Sequence, residues 1–248
     1  MSAGRPGQPR RLLAEYVGTL LLVTVVVGSG VMAATLAPGD AGLRLLANSV
    51  ATMLALAVII LILGPVSGAH LNPVVTFADW WLHRRDPDSR TLAEAAGYVG
   101  AQMLGAISGA VLANLMFGLP AVSWSATTRA APHLWLGEAV ATGGLVLVVF
   151  ALVRTHRTHY APAAVGAYIG AAYWFTSSTS FANPAVTVGR SFTDTFAGIS
   201  PASVPGFLAV QIVGAAAGLG LVAVLYPRPR VVTGGTAAIE PVPLRSRS

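Results

Sequence analysis

Six long apolar stretches, separated by short polar or charged segments, dominate the pattern along this chain of 248 residues. Each stretch is close to the ~20 residues that an α-helix needs to cross the hydrocarbon core of a bilayer. We therefore predict six membrane-spanning helices, at about residues 11–35, 43–63, 92–117, 134–153, 161–180 and 202–226. An even number of spans leaves both termini on the same side of the membrane.

Two other segments follow the second and the fifth predicted span and are too short and too polar to cross a membrane alone. Each opens with an asparagine, a proline and a small apolar residue: Asn72-Pro73-Val74 and Asn183-Pro184-Ala185. Asparagine is a favoured helix N-cap, and proline suits the first helical position because its missing N–H would have no partner there. Irregular backbone at membrane depth must be buried or line a cavity. We therefore predict re-entrant half-helices at 72–82 and 183–196 that meet near the midplane.

Landmarks of the first half of the chain recur in the same order in the second half. Glu15 of the first span recurs as Glu138 of the fourth, and Gln102 of the third recurs as Gln211 of the sixth. The two Asn-Pro motifs lie between these pairs. Each repeat contains three spans, an odd number, so the second copy enters the membrane from the opposite side and the two half-helices point at each other.

The composition agrees with a membrane protein, since 54% of residues are hydrophobic and 10% are charged, whereas about 25% are charged in typical soluble domains. The net charge of +6 comes from arginine without any lysine. Most arginines fall on one predicted side: Arg5, Arg10, Arg11, Arg84, Arg85, Arg90, Arg154, Arg157, Arg228, Arg230, Arg245 and Arg247. The positive-inside rule makes that side cytoplasmic. The basic charge needs no nucleic-acid partner, and we expect a multi-pass protein of the inner (plasma) membrane with both termini in the cytoplasm.

The domain organisation follows from these spans. We expect a cytoplasmic N-terminal segment at 1–10, a membrane domain at 11–226 and a disordered cytoplasmic tail at 227–248, where prolines and arginines are scattered. Within the membrane domain, repeat one covers 11–117 and repeat two covers 134–226.

Side chains that could carry chemistry form no reaction centre in the predicted spans. The chain has no cysteine, which excludes disulfides, thiol catalysis and cysteine metal sites. No Ser/His pair or carboxylate cluster has usable spacing there, and His156 and His159 fall in a predicted cytoplasmic loop. We therefore expect no enzyme activity, no cofactor and no metal.

Over about residues 11–226 the chain resembles the aquaporin, or major intrinsic protein, family. The resemblance rests on the paired Asn-Pro motifs, on AEYVGT at 14–19, and on SGAHL at 67–71, which leads into the first motif. It implies an all-α hourglass of six transmembrane helices and two re-entrant half-helices with one pore per subunit. It also implies a homotetramer in the lipid bilayer that conducts water or small uncharged solutes passively.

Asn72 and Asn183 would lie at the centre of such a pore. Each side-chain oxygen can cap its own half-helix, which leaves the amide N–H groups free to donate into the pore. Two facing helix N-termini each present about half a positive charge, which disfavours cations and protons. The plainer alternative is that both asparagines are only caps.

Glu15 and Glu138 are ionisable groups within predicted spans, which makes them candidates for a proton relay. Each could instead brace the loop before its half-helix through hydrogen bonds. We favour the brace, because these spans offer the pair no Asp, Lys or Arg partner. His70 is similarly expected to order its loop by hydrogen bonding.

The outer constriction departs from the family pattern. Many members carry an arginine directly after the second motif, where this chain has Val186. Counting twenty residues back from the first motif gives Thr52 and twelve back from the second gives Ala171, with Ser180 as the fourth wall position. The predicted filter of Thr52, Ala171, Ser180 and Val186 is wider and less polar than that of a water-selective member.

Arg190 lies four residues beyond Val186, one helical turn further on the same face. It could pair with Asp194, or it could lean into the outer vestibule and partly replace the missing charge. We favour the ion pair.

The segments 176–183 and 190–198 resemble a bacterial branch of the family that is often associated with arsenic resistance. We predict a passive channel with broad selectivity for water and small uncharged polar solutes, with glycerol, urea and neutral arsenic species as candidates. The alternatives are a strict water channel and an ion-coupled secondary transporter, since inverted repeats with broken helices also occur in transporters.

Overall fold

A computed structural model describes residues 6–86 and 89–227 of the chain. Within these ranges the chain forms α-helices and short 3-10 turns and no strand. The helices are α1 (Gln8–Leu36), α2 (Ala41–Ser67), α3 (Pro73–His83), α4 (Leu92–Met116), α5 (Pro132–Arg154), α6 (Ala161–Phe175), α7 (Pro184–Gly189) and α8 (Val204–Leu225). The predicted tail, beyond Pro227, lies outside the described residues.

Five of the six predicted spans are helices long and apolar enough to cross a membrane: α1, α2, α4, α5 and the stretch Pro201–Leu225 that contains α8. The exception is α6, which has 15 residues and would rise only about 22 Å, against a hydrocarbon core of about 30 Å. The predicted span at 161–180 is therefore too long at its C-terminal end. Residues 176–182 instead form a loop, because their backbone turns to meet the buried carboxylate of Glu138.

Both half-helices are present, and they differ in length. The first, α3, begins at Pro73 and closely matches the prediction. The second, α7, has six residues and passes into a 3-10 turn at Arg190–Phe192, so the predicted helix at 183–196 is too long. The chain leaves the helix there because the carbonyls of Ser191 and Phe192 accept hydrogen bonds from the loop between α4 and α5, at Ser125 N and Ser123 N.

The helix packing follows the inverted repeat. In the first half α1 packs against α2 and α4, and in the second half α5 packs against α6 and α8. Each half-helix contacts both α4 and α8, and α3 and α7 contact each other. The two short helices are thus enclosed by the long ones.

Close approach between the long helices depends on glycines of α4 and α8. A Cβ added at any of four positions would lie 2.3–2.4 Å from a backbone carbonyl oxygen of the neighbouring helix: Gly105, Gly109, Gly214 and Gly218. Small residues at such contacts let membrane helices pack tightly. A Cβ added at Gly100 or Gly220 would have no heavy atom within 4 Å, so these two glycines do not take part in this packing.

Candidate pore and solute filter

The two Asn-Pro motifs have the geometry of helix N-caps. Asn72 and Asn183 both have extended backbone, with φ of −155° and −158°. Val74 N donates to Asn72 Oδ1, and Ala185 N donates to Asn183 Oδ1, both at 3.0 Å. The capping that the motif predicts is therefore present at both sites.

The side-chain amides of the same asparagines join the two repeats. Asn72 Nδ2 donates to Ala182 O at 2.8 Å, and Asn183 Nδ2 donates to Leu71 O at 2.7 Å. Each amide has two hydrogens, so one is committed to the opposite loop. The expectation that these amides donate only into the pore is corrected: one hydrogen on each binds the opposite loop and holds the half-helices together, and the other has no acceptor among the described residues.

The loops before both motifs use left-handed backbone at non-glycine residues. These are Ala69 and Leu71 before the first motif and Thr179, Ser180 and Ala182 before the second, with φ between 46° and 64°. That conformation costs roughly 1–2 kcal/mol per residue. It is tolerated because each loop turns its N–H groups towards a buried acceptor and leaves carbonyls free for the opposite asparagine.

Glu138 is the buried acceptor of the second loop. Phe181 N donates to Glu138 Oε1 at 2.8 Å, and Ala182 N donates to Oε2 at 2.9 Å. Gln211 Nε2 donates to Oε2 at 2.8 Å and also reaches Thr187 Oγ1 in α7 at 2.9 Å. The carboxylate is fully buried and ties the loop to α5 and α8.

Glu15 makes the corresponding contacts in the first repeat. His70 N and Leu71 N donate to its two oxygens at 3.0 and 2.7 Å, and Ser67 Oγ donates to Oε1 at 2.6 Å. Gln102 Nε2 donates to Oε2 at 2.8 Å. Both glutamates thus hold backbone N–H groups of a loop, which is the arrangement of a brace.

His70 belongs to a polar cluster at one end of the cavity. Its Nδ1 lies 3.2 Å from Thr76 Oγ1 and its Nε2 lies 3.0 Å from Arg90 Nη1. Arg90 pairs with Asp79 at 2.5 Å and donates to Ser67 O at 2.9 Å. The charge of Arg90 is therefore balanced by a carboxylate.

A cavity of about 680 Å³ connects these features. Its lining runs from His70 and Arg90 past both asparagines to Val186 and Arg190. This volume falls within the usual range for sites that take small molecules. The two half-helices therefore meet along one continuous solute-sized space.

The predicted filter is only partly assembled around this cavity. Thr52, Ser180 and Val186 line it, whereas Ala171 is exposed on another face of α6 and does not. Beyond Ala161 and Pro162 in its first turn, α6 lines the cavity with Val165, Ile169 and Tyr173. They recur every four residues and so share one helical face. The filter residue of α6 is therefore Tyr173 and not Ala171, which counting along the chain selected. Tyr173 Oη lies 3.2 Å from Thr52 Oγ1.

Arg190 lies in the cavity wall, and the favoured pairing with Asp194 is wrong. Asp194 Oδ1 accepts a hydrogen bond from Ala126 N at 3.0 Å, in the loop between α4 and α5. Arg190 is 2% exposed, its Nε donates to Ala197 O, and its guanidinium carbon lies 3.4 Å from the centroid of the Phe181 ring.

The α4–α5 loop adds a layer that the sequence patterns did not predict. Arg129 of this loop donates to Gly198 O at 3.0 Å and to Ser178 O at 3.4 Å. Its guanidinium also lies 5.2 Å from the Phe181 ring. A basic residue in a short polar loop carries no signal of such a fold-back. Gln102 and Gln211, by contrast, recur in the sequence as landmarks of the repeat, although the repeat alone assigns them no role.

The two half-helices face each other, are joined by hydrogen bonds and line one cavity inside a bundle of long apolar helices. This arrangement defines a channel-forming membrane protein. The profile of the family described as Major intrinsic protein matches residues 4–182, and the chain belongs to that family. It is therefore a passive membrane channel for water and small solutes, and not an enzyme.

Individual relatives agree with this assignment. The chain is 48% identical over 231 residues to the aquaglyceroporin AqpS of Rhizobium meliloti, covering 92% of this chain and 95% of that protein. It is 30% identical over 216 residues to the probable aquaporin AqpM of Archaeoglobus fulgidus, covering 77% and 86%.

A solved structure supports the fold. The aquaglyceroporin from Plasmodium falciparum matches with a TM-score of 0.66 at 21% identity, covering 87% of this chain and 96% of that chain. The predicted family, the all-α hourglass fold and the channel function are thus confirmed.

Proposed function

We propose that this channel passes small uncharged polar solutes larger than water, including glycerol and urea, together with water. The observation that carries this proposal is Val186 in the cavity wall directly after the second motif. Its side chain offers neither a charge nor a hydrogen-bond donor. Thr52 and Ser180, which line the same cavity, are also small, and Tyr173 is the one bulky side chain at the four corrected filter positions. Pore diameter and lining donors set selectivity in such channels, so these residues favour a wider range of neutral solutes.

Neutral arsenic acids belong to the same class of solute, because they are small, uncharged and rich in hydroxyl groups. The resemblance of residues 176–183 to the branch associated with arsenic resistance supports their inclusion. The 48% identity to a protein named an aquaglyceroporin supports glycerol.

The centre of the pore admits such solutes as hydrogen-bond acceptors. Asn72 and Asn183 each keep one amide hydrogen for a passing oxygen, and the N-termini of α3 and α7 add partial positive charge. Cations meet dipoles of the wrong sign there, whereas neutral hydroxyl groups are oriented and pass.

Assembly and topology complete the proposal. The chain forms a homotetramer in the plasma membrane with residues 1–10 and 227–248 in the cytoplasm, and repeats 11–117 and 134–226 form one pore in each subunit. The exposed large apolar side chains on the outer faces of the long helices, Leu13, Leu54, Leu136 and Ile212 among them, fit lipid or a neighbouring subunit.

Val186→Arg is expected to lower glycerol and urea flux more than water flux. The new side chain narrows the cavity and adds a charged donor, and a barrier raised by about 1.4 kcal/mol slows passage about tenfold. Stopped-flow light scattering on proteoliposomes measures all three fluxes. Val186→Leu is the matched control, since it adds bulk without charge and should reduce glycerol flux less. An unchanged ratio of glycerol to water flux in Val186→Arg would contradict the proposed filter.

A further inference from the structure

Arg190 lines the same cavity as Val186, although it lies one helical turn further along the chain. The turn that carries it begins where α7 ends at Gly189. A Cβ at Gly189 would lie 2.6 Å from Ala106 O, so α7 is pressed against α4 at that point. The close packing fixes where the backbone of Arg190 leaves the half-helix.

The guanidinium of Arg190 is held in one position from two sides. Nε donates to Ala197 O, and the planar group lies over the Phe181 ring at 3.4 Å, a contact that is favourable between a cation and an aromatic face. Phe181 is itself fixed, because its N–H donates to Glu138 Oε1 at 2.8 Å. The brace of the second loop therefore also positions the ring on which Arg190 lies.

The two terminal nitrogens of Arg190 donate to no described residue, and both keep some accessible surface. They consequently face the cavity that the residue lines. A guanidinium carries five N–H donors in a rigid plane. Four of them remain for whatever passes through the cavity.

The charge of Arg190 is also not neutralised by an ion pair with any described residue. Arg90 lines the cavity too, but it pairs with Asp79 at 2.5 Å. No carboxylate of the described residues lies within ion-pair distance of Arg190. Among the described arginines and carboxylates that line the cavity, Arg190 therefore leaves one net positive charge.

We propose that Arg190 determines selectivity in the half of the pore beyond the asparagines, by repelling cations and donating hydrogen bonds to oxygen atoms of uncharged solutes. It supplies from the next helical turn the fixed charge that Val186 does not. The residue thus separates two properties: the wall at Val186 sets the width, and Arg190 sets the charge. The identity of the solutes rests on the proposed function above, whereas the exclusion of cations does not.

The chain lacks cysteine, so Arg190→Cys gives a channel with a single reactive thiol. Proton leak is measured in proteoliposomes with a trapped pH dye, and sodium entry with a tracer. Removing a fixed charge from a cleft lined by one sign raises the local cation concentration, and we expect leak about tenfold or more above the natural channel. A trimethylammonium thiosulfonate reagent should restore exclusion, and a neutral reagent of similar size should not.

Arg44→Cys is the matched control. Arg44 is partly exposed, lies 5.7 Å from the Phe196 ring and does not line the cavity. Its thiol should react with both reagents, and cation leak should stay at the natural level before and after reaction. Water flux, measured in parallel for every variant, reports how much folded channel is present.

The proposal is overturned if Arg190→Cys conducts water normally and its proton and sodium leak is as low as that of the natural chain. It is also overturned if the neutral reagent restores exclusion as fully as the cationic one. Should the cysteine variant fail to fold, Arg190→Lys and Arg190→Met give the same comparison, and only the lysine variant should exclude cations. A natural channel that passes only water contradicts the proposed function alone, since the cation leak of the variants is read independently.

Discussion

Replacing Glu138 with leucine is expected to abolish the folded channel. The substitution leaves the N–H groups of Phe181 and Ala182 without their acceptor and removes one of the two acceptors of Gln211 Nε2. Each unpaired buried donor costs about 1–3 kcal/mol, against a total stability of about 5–15 kcal/mol for a typical protein. The loss also releases the left-handed loop backbone at Ala182, whose carbonyl accepts from Asn72. The yield of monodisperse protein in detergent and its thermal unfolding measure the effect.

Two further variants calibrate this result. Glu138→Gln keeps the volume and one acceptor oxygen, so it should retain part of the stability. Asp40→Leu removes an exposed carboxylate that caps α2 by accepting a hydrogen bond from Leu43 N at 2.9 Å. Loss of such a cap costs about 1 kcal/mol, and the channel should survive. A Glu138→Leu protein as stable as Asp40→Leu would show that the brace does not hold the loop.

Asn183→Asp is expected to lower water and solute flux by about tenfold, the effect of roughly 1.4 kcal/mol on the barrier. Aspartate caps a helix as well as asparagine does, so α7 keeps its cap. The carboxylate has no hydrogen to donate to Leu71 O, now 2.7 Å from Asn183 Nδ2. The two oxygens repel, and the pore centre loses one of its two amide donors. Flux per folded channel in proteoliposomes is the measurement.

Two comparisons separate conduction from folding in this experiment. By the inverted repeat, Asn72→Asp should produce a similar loss of flux. Asn114→Asp alters another buried asparagine, whose Nδ2 donates to Ala121 O at 3.2 Å and to Phe192 O at 3.1 Å, and none of these residues lines the cavity. It should reduce stability and leave flux per folded channel unchanged. Normal flux through Asn183→Asp would show that the amide does not serve the pore.

The sequence predicted features that depend on local chemistry or on duplication. The caps at Asn72 and Asn183 follow from the preferences of asparagine and proline at helix starts. Glu15 and Glu138 were recognisable because ionisable groups are rare in apolar spans and because they recur. The fold class followed from six apolar stretches of suitable length.

Features that depend on the path of the chain were predicted less well. Counting back from a motif chose Ala171 over Tyr173, because a count carries no information about which face of α6 meets the cavity. Arg190 was assigned to Asp194 on helical spacing, but α7 ends at Gly189 and the spacing no longer applies. Its contacts with Phe181 and Ala197 O arise from loops that no periodic pattern describes.

Solute flux through the natural channel tests the central claim most directly. Proteoliposomes and protein-free liposomes are exposed in parallel to gradients of an impermeant sugar, glycerol, urea and arsenous acid, with volume followed by stopped-flow scattering. We expect rapid water efflux followed by reswelling in glycerol and urea that is faster than in protein-free liposomes and unaffected by collapse of proton and sodium gradients. Acceleration of water alone, or accumulation of solute against its gradient, would contradict a passive channel with a wide filter.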